Sequence, residues 1–436
     1  MSLKTLLMPV ITQYRFSRNT LLARRKRAEK ARLAAGRPHT VHYFHQVDDP
    51  YSHLMVQALG LFLARYPVQL IAHVVSPPAD SAAPERDKLV AFSRRDAALL
   101  AEKHGLDFKD TGAQPDSAAL QLACHALVAA IEAGQFVELA PAISQWLWTV
   151  KENDEVPPHI QTGNFQSPAA VQKHIADSDL LRHRLGHYLG GMLYYEGEWY
   201  WGIDRLYHLE QRLREVGVQG KGISGPLFGN DDSLKNTQLL KNPPDIDFFF
   251  SFRSPYSAIV APRVFELGRL TGAKVKLRYV LPMVMRGLPV PAVKREYIVQ
   301  DTAREAHVRG IPFGRLNDPV GLPTERGLAL IPFAEQHSRG PEYVMSFMQG
   351  VWAEGIDAGS DKGLQRIVER AGLGWEGAQI ALQHTAWREV AAANREELFQ
   401  AGLWGVPSFK VGHFSTWGQD RLWAVHEALK AQASQT

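Results

Sequence analysis

The sequence contains one cysteine, Cys124, among its 436 residues. A single thiol excludes a disulfide within the chain and a zinc site built from cysteines, and it favours a reducing compartment. Cys124 lies in the helical apolar pattern LQLACHALVAAIE, which indicates a buried core thiol rather than a reactive one. No apolar run is long enough to span a bilayer, and the N-terminus lacks the cleavage site of a secretory signal. We therefore expect a cytoplasmic protein.

Acidic residues are scarce at the N-terminus. Residues 1–40 hold ten lysines and arginines but only one acid, Glu29, so this arm carries a charge of about +9. Because the whole chain carries +4, the remainder is near −5, and the pI of about 9.0 reflects the arm alone. The arm suits contact with anionic lipid or nucleic acid, or it is a solvated helix lying on the protein body.

An internal repeat becomes visible when Pro50 is set on Pro255. The two halves then stay aligned without gaps for about 65 residues. The matched stretches begin with VHYFHQVDDPYS and IDFFFSFRSPYS, and a second pair near the end of each half is WYWGIDRLYHLEQRL and STWGQDRLWAVHEAL. The sequence therefore predicts a tandem duplication joined by a Gly- and Asn-rich connector.

Each half has the same predicted order of elements: a strand, a helix, a strand, a long helical stretch, a strand pair and a last helix. A strand–helix–strand start followed by a β-hairpin and a C-terminal helix is the thioredoxin arrangement. The fold class is therefore α/β, with two tandem thioredoxin-like domains that each carry a helical insertion. The predicted segments are a basic N-terminal arm at 1–37, a first domain at 38–215, a linker at 216–244 and a second domain at 245–436.

The stretch FFFSFRSPYS joins a buried strand to the helix that begins near Pro255. The first backbone N–H groups of a helix have no partner within it, and its dipole favours negative charge at that end. A thiolate held beside Ser254 would therefore be stabilised. The alternative is that Ser254 is an N-cap and nothing more.

Two further segments favour a ligand site at this junction. Val406 and Pro407 precede the last strand pair, which is the setting of a cis-proline turn whose exposed backbone can pair with an extended ligand. Asp420 begins the last helix nearby. Its carboxylate suits a ligand ammonium, or it is simply a favourable charge at a helix start.

The second half resembles the kappa-class glutathione transferases and the 2-hydroxychromene-2-carboxylate isomerases, a cysteine-free branch of the DsbA-like thioredoxin superfamily. The matching motifs are FFFSFRSPYS, the series Tyr297, Asp301 and Arg304 followed by GIPF, then GVPSF and WGQDRL. Together they span nearly the whole half, which makes it a DsbA-like domain by resemblance. These families are normally single-domain dimers, so the two halves are expected to form an internal pseudo-dimer.

The resemblance implies a glutathione site without a metal. Ser254 would hold the glutathione sulfur as a thiolate, and the backbone of Val406 before Pro407 would bind the cysteinyl unit. Asp420, with Gln419, would receive the γ-glutamyl amine. The implied partner is an electrophilic, aromatic or unsaturated small molecule, and the side chains expected to line its pocket are Phe252, Tyr256, Met283 and Trp404.

The first half has a different set of residues at the same positions. Asp49 stands where Ser254 stands, and a carboxylate there would repel a thiolate. Counting back from WGIDRL with one gap places Met192 where Pro407 would be, so no cis-proline turn is expected. We interpret this half as structural. The remaining alternative for the whole chain is a non-catalytic binding protein built from two thioredoxin-like domains.

Overall fold

The computed structural model describes residues 3–151, 155–157, 160, 167–229 and 234–433. Residues 230–233 of the predicted linker and the first two residues of the predicted arm lie outside this part of the chain. The chain divides into two compact units. The N-terminal unit consists of residues 25–230, and the C-terminal unit consists of residues 1–24 together with 231–436. Within the described residues, no helix has the length and apolarity needed to cross a membrane.

The basic segment at the N-terminus is helical, comprising α1 (Leu3–Phe16) and α2 (Arg18–Ala34). The strands of the N-terminal unit are β1 (Thr40–Gln46), β2 (Gln69–Val75), β3 (Met192–Tyr195) and β4 (Glu198–Trp201). Its further helices are α3 (Pro50–Arg65), α4 (Arg86–His104), α5 (Ser117–Glu132), α6 (Phe136–Thr149), α7 (Pro168–Arg184) and α8 (Gly202–Glu215). The sheet order is β2-β1-β3-β4, with β1 parallel to β2 and the other neighbours antiparallel.

The strands of the C-terminal unit are β5 (Ile246–Phe250), β6 (Val275–Tyr279), β7 (Ser408–Val411) and β8 (Phe414–Trp417). Its helices after α1 are α9 (Pro255–Thr271), α10 (Ala292–Arg309), α11 (Leu322–Ala329), α12 (Ile331–Gln336), α13 (Gly340–Ala353), α14 (Asp361–Arg370), α15 (Trp375–Ala381), α16 (Trp387–Gln400) and α17 (Leu422–Ala433). Short 3₁₀ helices lie at Met283–Arg286 and Gln419–Arg421. The sheet order is β6-β5-β7-β8, with β5 parallel to β6 and the other neighbours antiparallel.

The predicted order of elements is confirmed in the described part of both units. In the C-terminal unit, the long helical insertion corresponds to α10 to α16, and the predicted strand pair is β7 and β8. The last three residues of β5, Phe248, Phe249 and Phe250, are all fully buried, so both faces of this part of the strand are covered. This buried strand fixes the point at which the chain emerges at Ser254.

Candidate functional site

Ser254 lies between β5 and α9 and is the N-cap residue of that helix. Its Oγ accepts a hydrogen bond from the backbone N–H of Ser257 at 3.1 Å. The hydroxyl donates to the carbonyl oxygen of Val406 at 3.3 Å, which is long for an O–H···O bond. The hydroxyl proton can therefore turn to a stronger acceptor at small cost, while the cap bond remains in place.

The Val406–Pro407 segment faces this helix end, and its peptide bond is cis. The carbonyl oxygen of Pro407 accepts a hydrogen bond from the backbone N–H of Gly418 at 2.9 Å. Gly418 has a φ of +115°, which side chains disfavour, and it opens the short 3₁₀ helix that contains Asp420. The proline loop thus ties the turn that carries Asp420 to the segment that contacts Ser254.

Gln419 is only 1% exposed, and its side-chain amide is engaged within the unit. Nε2 donates to Oε2 of Glu305 at 2.7 Å and contacts the Asp420 carboxylate. Oε1 accepts from Arg263 of α9 at 3.1 Å. Glu305 is itself fully buried and pairs with Arg309 at 2.7 Å. This network fixes the backbone turn at Gln419 against α9 and α10.

The four expected pocket residues are in different environments. Phe252 is fully buried, with its ring stacked on that of Phe347 at a centroid distance of 3.9 Å, so it belongs to the core. The Tyr256 hydroxyl donates to Oδ2 of Asp301 at 2.7 Å, and Met283 is partly exposed in its 3₁₀ turn. Trp404 is 3% exposed, and its buried Nε1 has no hydrogen-bond partner in the described structure.

Lys294, in the first turn of α10, is a residue that the sequence analysis missed. Its Nζ lies 5.7 Å from the ring centroid of Trp404, two residues before Val406. Burial lowers the pKa of Lys294 from 10.5 to about 8. Nothing in the segment PAVKREY distinguishes this lysine from Arg295, because the contact is with a residue far along the chain. A second cation, Arg253, is paired with Asp318 at 2.8 Å beside Ser254.

The N-terminal unit fills the corresponding helix end with its own carboxylate. Asp49 is the N-cap of α3 and accepts hydrogen bonds from the backbone N–H groups of Tyr51 at 3.3 Å and Ser52 at 2.9 Å. The Ser52 hydroxyl also donates to Asp49, at 2.8 Å. Burial raises the pKa of Asp49 from 3.8 to about 6. The groups that would receive a thiolate are therefore already occupied.

The expected correspondence between Met192 and Pro407 is wrong by one residue. Met192 is the first residue of β3 and Ser408 the first of β7, and both pair with the same relative position of the central strand. Gly191 therefore corresponds to Pro407. The sequence alignment failed here because it placed a gap in a turn that has the same length in both units.

Hydrogen bonding supports the same correspondence. The N–H of Gly202 donates to the carbonyl oxygen of Gly191 at 2.8 Å, as that of Gly418 does to Pro407. Gly191 has a φ of +63°, and a Cβ there would lie 3.1 Å from Oδ2 of Asp49. A side chain at this position would crowd the Asp49 carboxylate, which explains the glycine.

We expect Asp49→Asn to raise the free energy of unfolding by about 1 kcal/mol at neutral pH. The full pKa shift of Asp49 would correspond to more, but Asp49 is partly exposed, so solvent screens its charge. The folded protein holds this proton more tightly than the unfolded chain, so the stability it contributes is present below the unfolded pKa of 3.8 and lost as the pH rises through about 6. Asparagine keeps the cap. Urea unfolding of both proteins at several pH values measures the difference. A difference that does not grow between pH 4 and pH 7 would contradict the assignment.

Cys124 is in α5 of the N-terminal unit, and burial raises the pKa of its thiol to about 11, which makes it unreactive. Within the described ranges, no cluster of three His, Cys, Asp or Glu side chains is arranged to hold a metal ion.

Comparison with known proteins assigns the class of the C-terminal unit. Residues 245–430 match the DsbA-like thioredoxin domain family, so this half of the chain has a DsbA-like thioredoxin fold. The match covers less than half of the chain and leaves the N-terminal unit outside it.

Two relatives and one solved structure that are similar to the second half of the chain are 2-hydroxychromene-2-carboxylate isomerases. A 2-hydroxychromene-2-carboxylate isomerase of Pseudomonas putida is 26% identical over 196 residues, covering 42% of this chain and 93% of the relative. The corresponding isomerase of Sphingobium xenophagum is 24% identical over 185 residues, covering 41% and 93%. A solved structure of a 2-hydroxychromene-2-carboxylate isomerase is 24% identical with a TM-score of 0.37, covering 44% of this chain and 96% of that chain.

Proposed function

We propose that the C-terminal unit is a glutathione-dependent isomerase or transferase that acts on an electrophilic, aromatic or unsaturated small molecule. One observation carries the proposal: the Ser254 hydroxyl, the Val406 backbone and the turn bearing Asp420 are joined by hydrogen bonds at the N-terminus of α9. The similarity to 2-hydroxychromene-2-carboxylate isomerases supports the reaction class.

In this proposal each element contacts one part of glutathione. The Ser254 hydroxyl turns from Val406 to donate to the thiolate, and the positive end of α9 lowers the pKa of the bound thiol. The Val406 backbone, released from that bond, pairs with the cysteinyl unit as an added strand would. Asp420 pairs with the γ-glutamyl ammonium, and the buried amide of Gln419 positions Asp420 without itself contacting the ligand.

The proposed chemistry is reversible conjugate addition. The thiolate forms a C–S bond to the electron-poor carbon of a conjugated double bond, and the π electrons move onto the conjugated carbonyl oxygen. The former double bond is then single and can rotate. Expulsion of the thiolate restores the double bond and releases the isomer, whereas protonation of the adduct gives a conjugate. Neither route consumes an oxidant or a reductant.

We propose that Lys294 pairs with a carboxylate of glutathione; in support, its ammonium lies 5.7 Å from the ring centroid of Trp404, two residues before Val406. Its pKa of about 8 gives a testable pH dependence. Binding of S-methylglutathione, which has no thiol to titrate, should weaken as the pH rises through about 8 and Lys294 loses its charge. Lys294→Gln should bind about tenfold more weakly at pH 7, and its affinity should fall less as the pH rises through about 8, because only the γ-glutamyl ammonium of the ligand then loses its charge. Calorimetry measures both constants, and equal pH profiles for the two proteins would remove Lys294 from the site.

A direct test of the reaction class is to supply 2-hydroxychromene-2-carboxylate with and without reduced glutathione and to follow its ultraviolet spectrum. We expect equilibration with the ring-opened isomer only when protein and glutathione are both present. Formation of a stable glutathione adduct would instead show that the C-terminal unit is a glutathione transferase. If glutathione is bound but neither product forms with this or other electron-poor alkenes, the binding-protein alternative replaces the enzyme.

We further propose that the two units arose by duplication and that only the C-terminal one keeps the glutathione site. The shared sheet order supports a common origin. So does a matched buried contact: Tyr51 donates to Asp96 at 2.7 Å in one unit, as Tyr256 does to Asp301 at 2.7 Å in the other. The carboxylate of Asp49 at the helix end is the change that excludes a thiolate from the N-terminal unit.

A further inference from the structure

Helix α1 is docked on the C-terminal unit along one of its faces. Thr12 and Phe16 are 6% and 8% exposed, and the Thr12 hydroxyl oxygen accepts a hydrogen bond from the backbone N–H of Leu316 at 2.9 Å. Pro9 lies so close to Gly355 that a Cβ at that glycine would be 2.5 Å from the Pro9 Cβ. The helix is thus held in a fixed orientation by packing.

The opposite face of α1 is also apolar, and it is exposed. Leu7, Val10, Ile11 and Tyr14 are 49%, 58%, 54% and 75% exposed. Their spacing of three and four residues places them together on one side of the helix. A surface helix normally turns polar residues to solvent, so four apolar residues on the outward face require a partner.

The chain that follows this face is basic. Arg18 and Arg24, which come after α1 in the same unit, are exposed, and Arg15 at the end of α1 pairs with Glu296. Residues 1–24, the part of this unit that contains α1, hold four lysines and arginines and no acid. The partner of the apolar face must therefore combine an apolar phase with negative charge.

We propose that the α1 face formed by Leu7, Val10, Ile11 and Tyr14 docks the protein on an anionic membrane surface. A helix with apolar residues on one side and cations beside them lies in the plane of the interface, with its apolar side chains about 5–10 Å into the headgroup and acyl boundary. The lipid headgroups supply the negative charge. A second copy of this chain would bring a second basic arm into the contact, and nucleic acid offers no apolar phase for Leu7 and Ile11.

Sedimentation of the full chain with phospholipid vesicles tests the proposal. We expect it to pellet with vesicles of phosphatidylcholine mixed with phosphatidylglycerol, less with phosphatidylcholine alone, and less as salt is raised. The triple variant Leu7→Ser/Ile11→Ser/Tyr14→Ser should lower the partition coefficient by about tenfold or more. So should the charge variant Arg18→Glu/Arg24→Glu.

The control is Ile380→Ser/Val390→Ser, which removes exposed apolar residues elsewhere on the same unit and should leave vesicle binding unchanged. Because all three residues of the triple variant are exposed, its thermal unfolding should match that of the parent. Failure of the parent to bind anionic vesicles overturns the proposal, as does unchanged binding by the triple variant. If light scattering shows an oligomer that the triple variant dissociates, the face is a contact between copies. If the charge variant loses binding to a DNA duplex while the parent ignores vesicles, the arm binds nucleic acid instead.

Discussion

Ser254→Ala is expected to reduce glutathione-dependent turnover by on the order of 100-fold, the usual effect of removing one hydrogen-bond donor aimed at a developing or bound anion. The variant loses the hydroxyl that contacts Val406 and that we assign to the glutathione thiolate. It also loses the cap bond to the Ser257 N–H, which costs about 1 kcal/mol of stability. A control variant has to separate the loss of the thiolate contact from the loss of the helix cap.

Ser360 provides the matched control. It is the N-cap of α14 in the same unit, and its Oγ accepts from the backbone N–H of Gly363 at 3.1 Å, as Ser254 accepts from Ser257. Ser360→Ala should cost similar stability and leave turnover unchanged. The thiolate absorbance of bound glutathione should fall in Ser254→Ala only. Equal losses of turnover in the two variants would reduce Ser254 to a helix cap.

Asp301→Ala is expected to lower the free energy of unfolding by about 3–5 kcal/mol. Asp301 is 1% exposed and accepts both from the Tyr256 hydroxyl at 2.7 Å and from Arg304 at 2.8 Å. Removing it takes a carboxylate away from a buried guanidinium and a phenol at once. Tyr256→Phe, which keeps the Asp301–Arg304 pair, should cost only about 1–2 kcal/mol.

Urea unfolding of both variants measures this contrast. The order of the two losses carries the test, because only Asp301→Ala also takes the carboxylate away from Arg304. If Tyr256→Phe is as costly as Asp301→Ala, the pairing with Arg304 contributes nothing. Tyr256, which contacts Asp301, is two residues after Ser254 in the chain. Asp301→Ala should therefore lower glutathione-dependent activity as well as stability.

The sequence was sufficient for features that depend on local pattern. The apolar run before Ser254 has to be a covered strand, Pro255 suits a first helical turn, and the repeated strand–helix–strand order predicts both sheets. Val406, Pro407 and Asp420 were placed near Ser254 through a resemblance that extends over the whole second half. The geometry agrees with that placement because the proline loop and the Asp420 turn share a hydrogen bond.

Features that depend on contacts between residues far apart in the chain could not be predicted from the sequence. The environment of Lys294 depends on Trp404, and the burial of Gln419 depends on Glu305 and Arg263. Phe252 was expected in a pocket, but the stacking partner that places it in the core is Phe347. These pairs are separated by many residues, so no local pattern signals them.

The sequence leaves open whether the basic arm contacts an anionic partner or lies on the protein body, and it does not predict that α1 packs on the C-terminal unit. The sequence shows the charge but not which face of the helix packs. Thr12 is the decisive residue, because a threonine between Ile11 and Gln13 gives no indication that its hydroxyl accepts from Leu316. Only the packed structure shows that the apolar face left outside is that of Ile11 and Tyr14.

The measurement that tests the central claim most directly is calorimetric titration of the full chain with reduced glutathione, beside Asp420→Asn and Asp204→Asn. Asp204 occupies the position in WGIDRL that Asp420 occupies in WGQDRL, so it is the matched control in the N-terminal unit. We predict one site per chain, an affinity about tenfold weaker in Asp420→Asn, and no change in Asp204→Asn. Absence of binding at millimolar glutathione, or equal binding by all three proteins, would contradict the assignment of the glutathione site to the C-terminal unit.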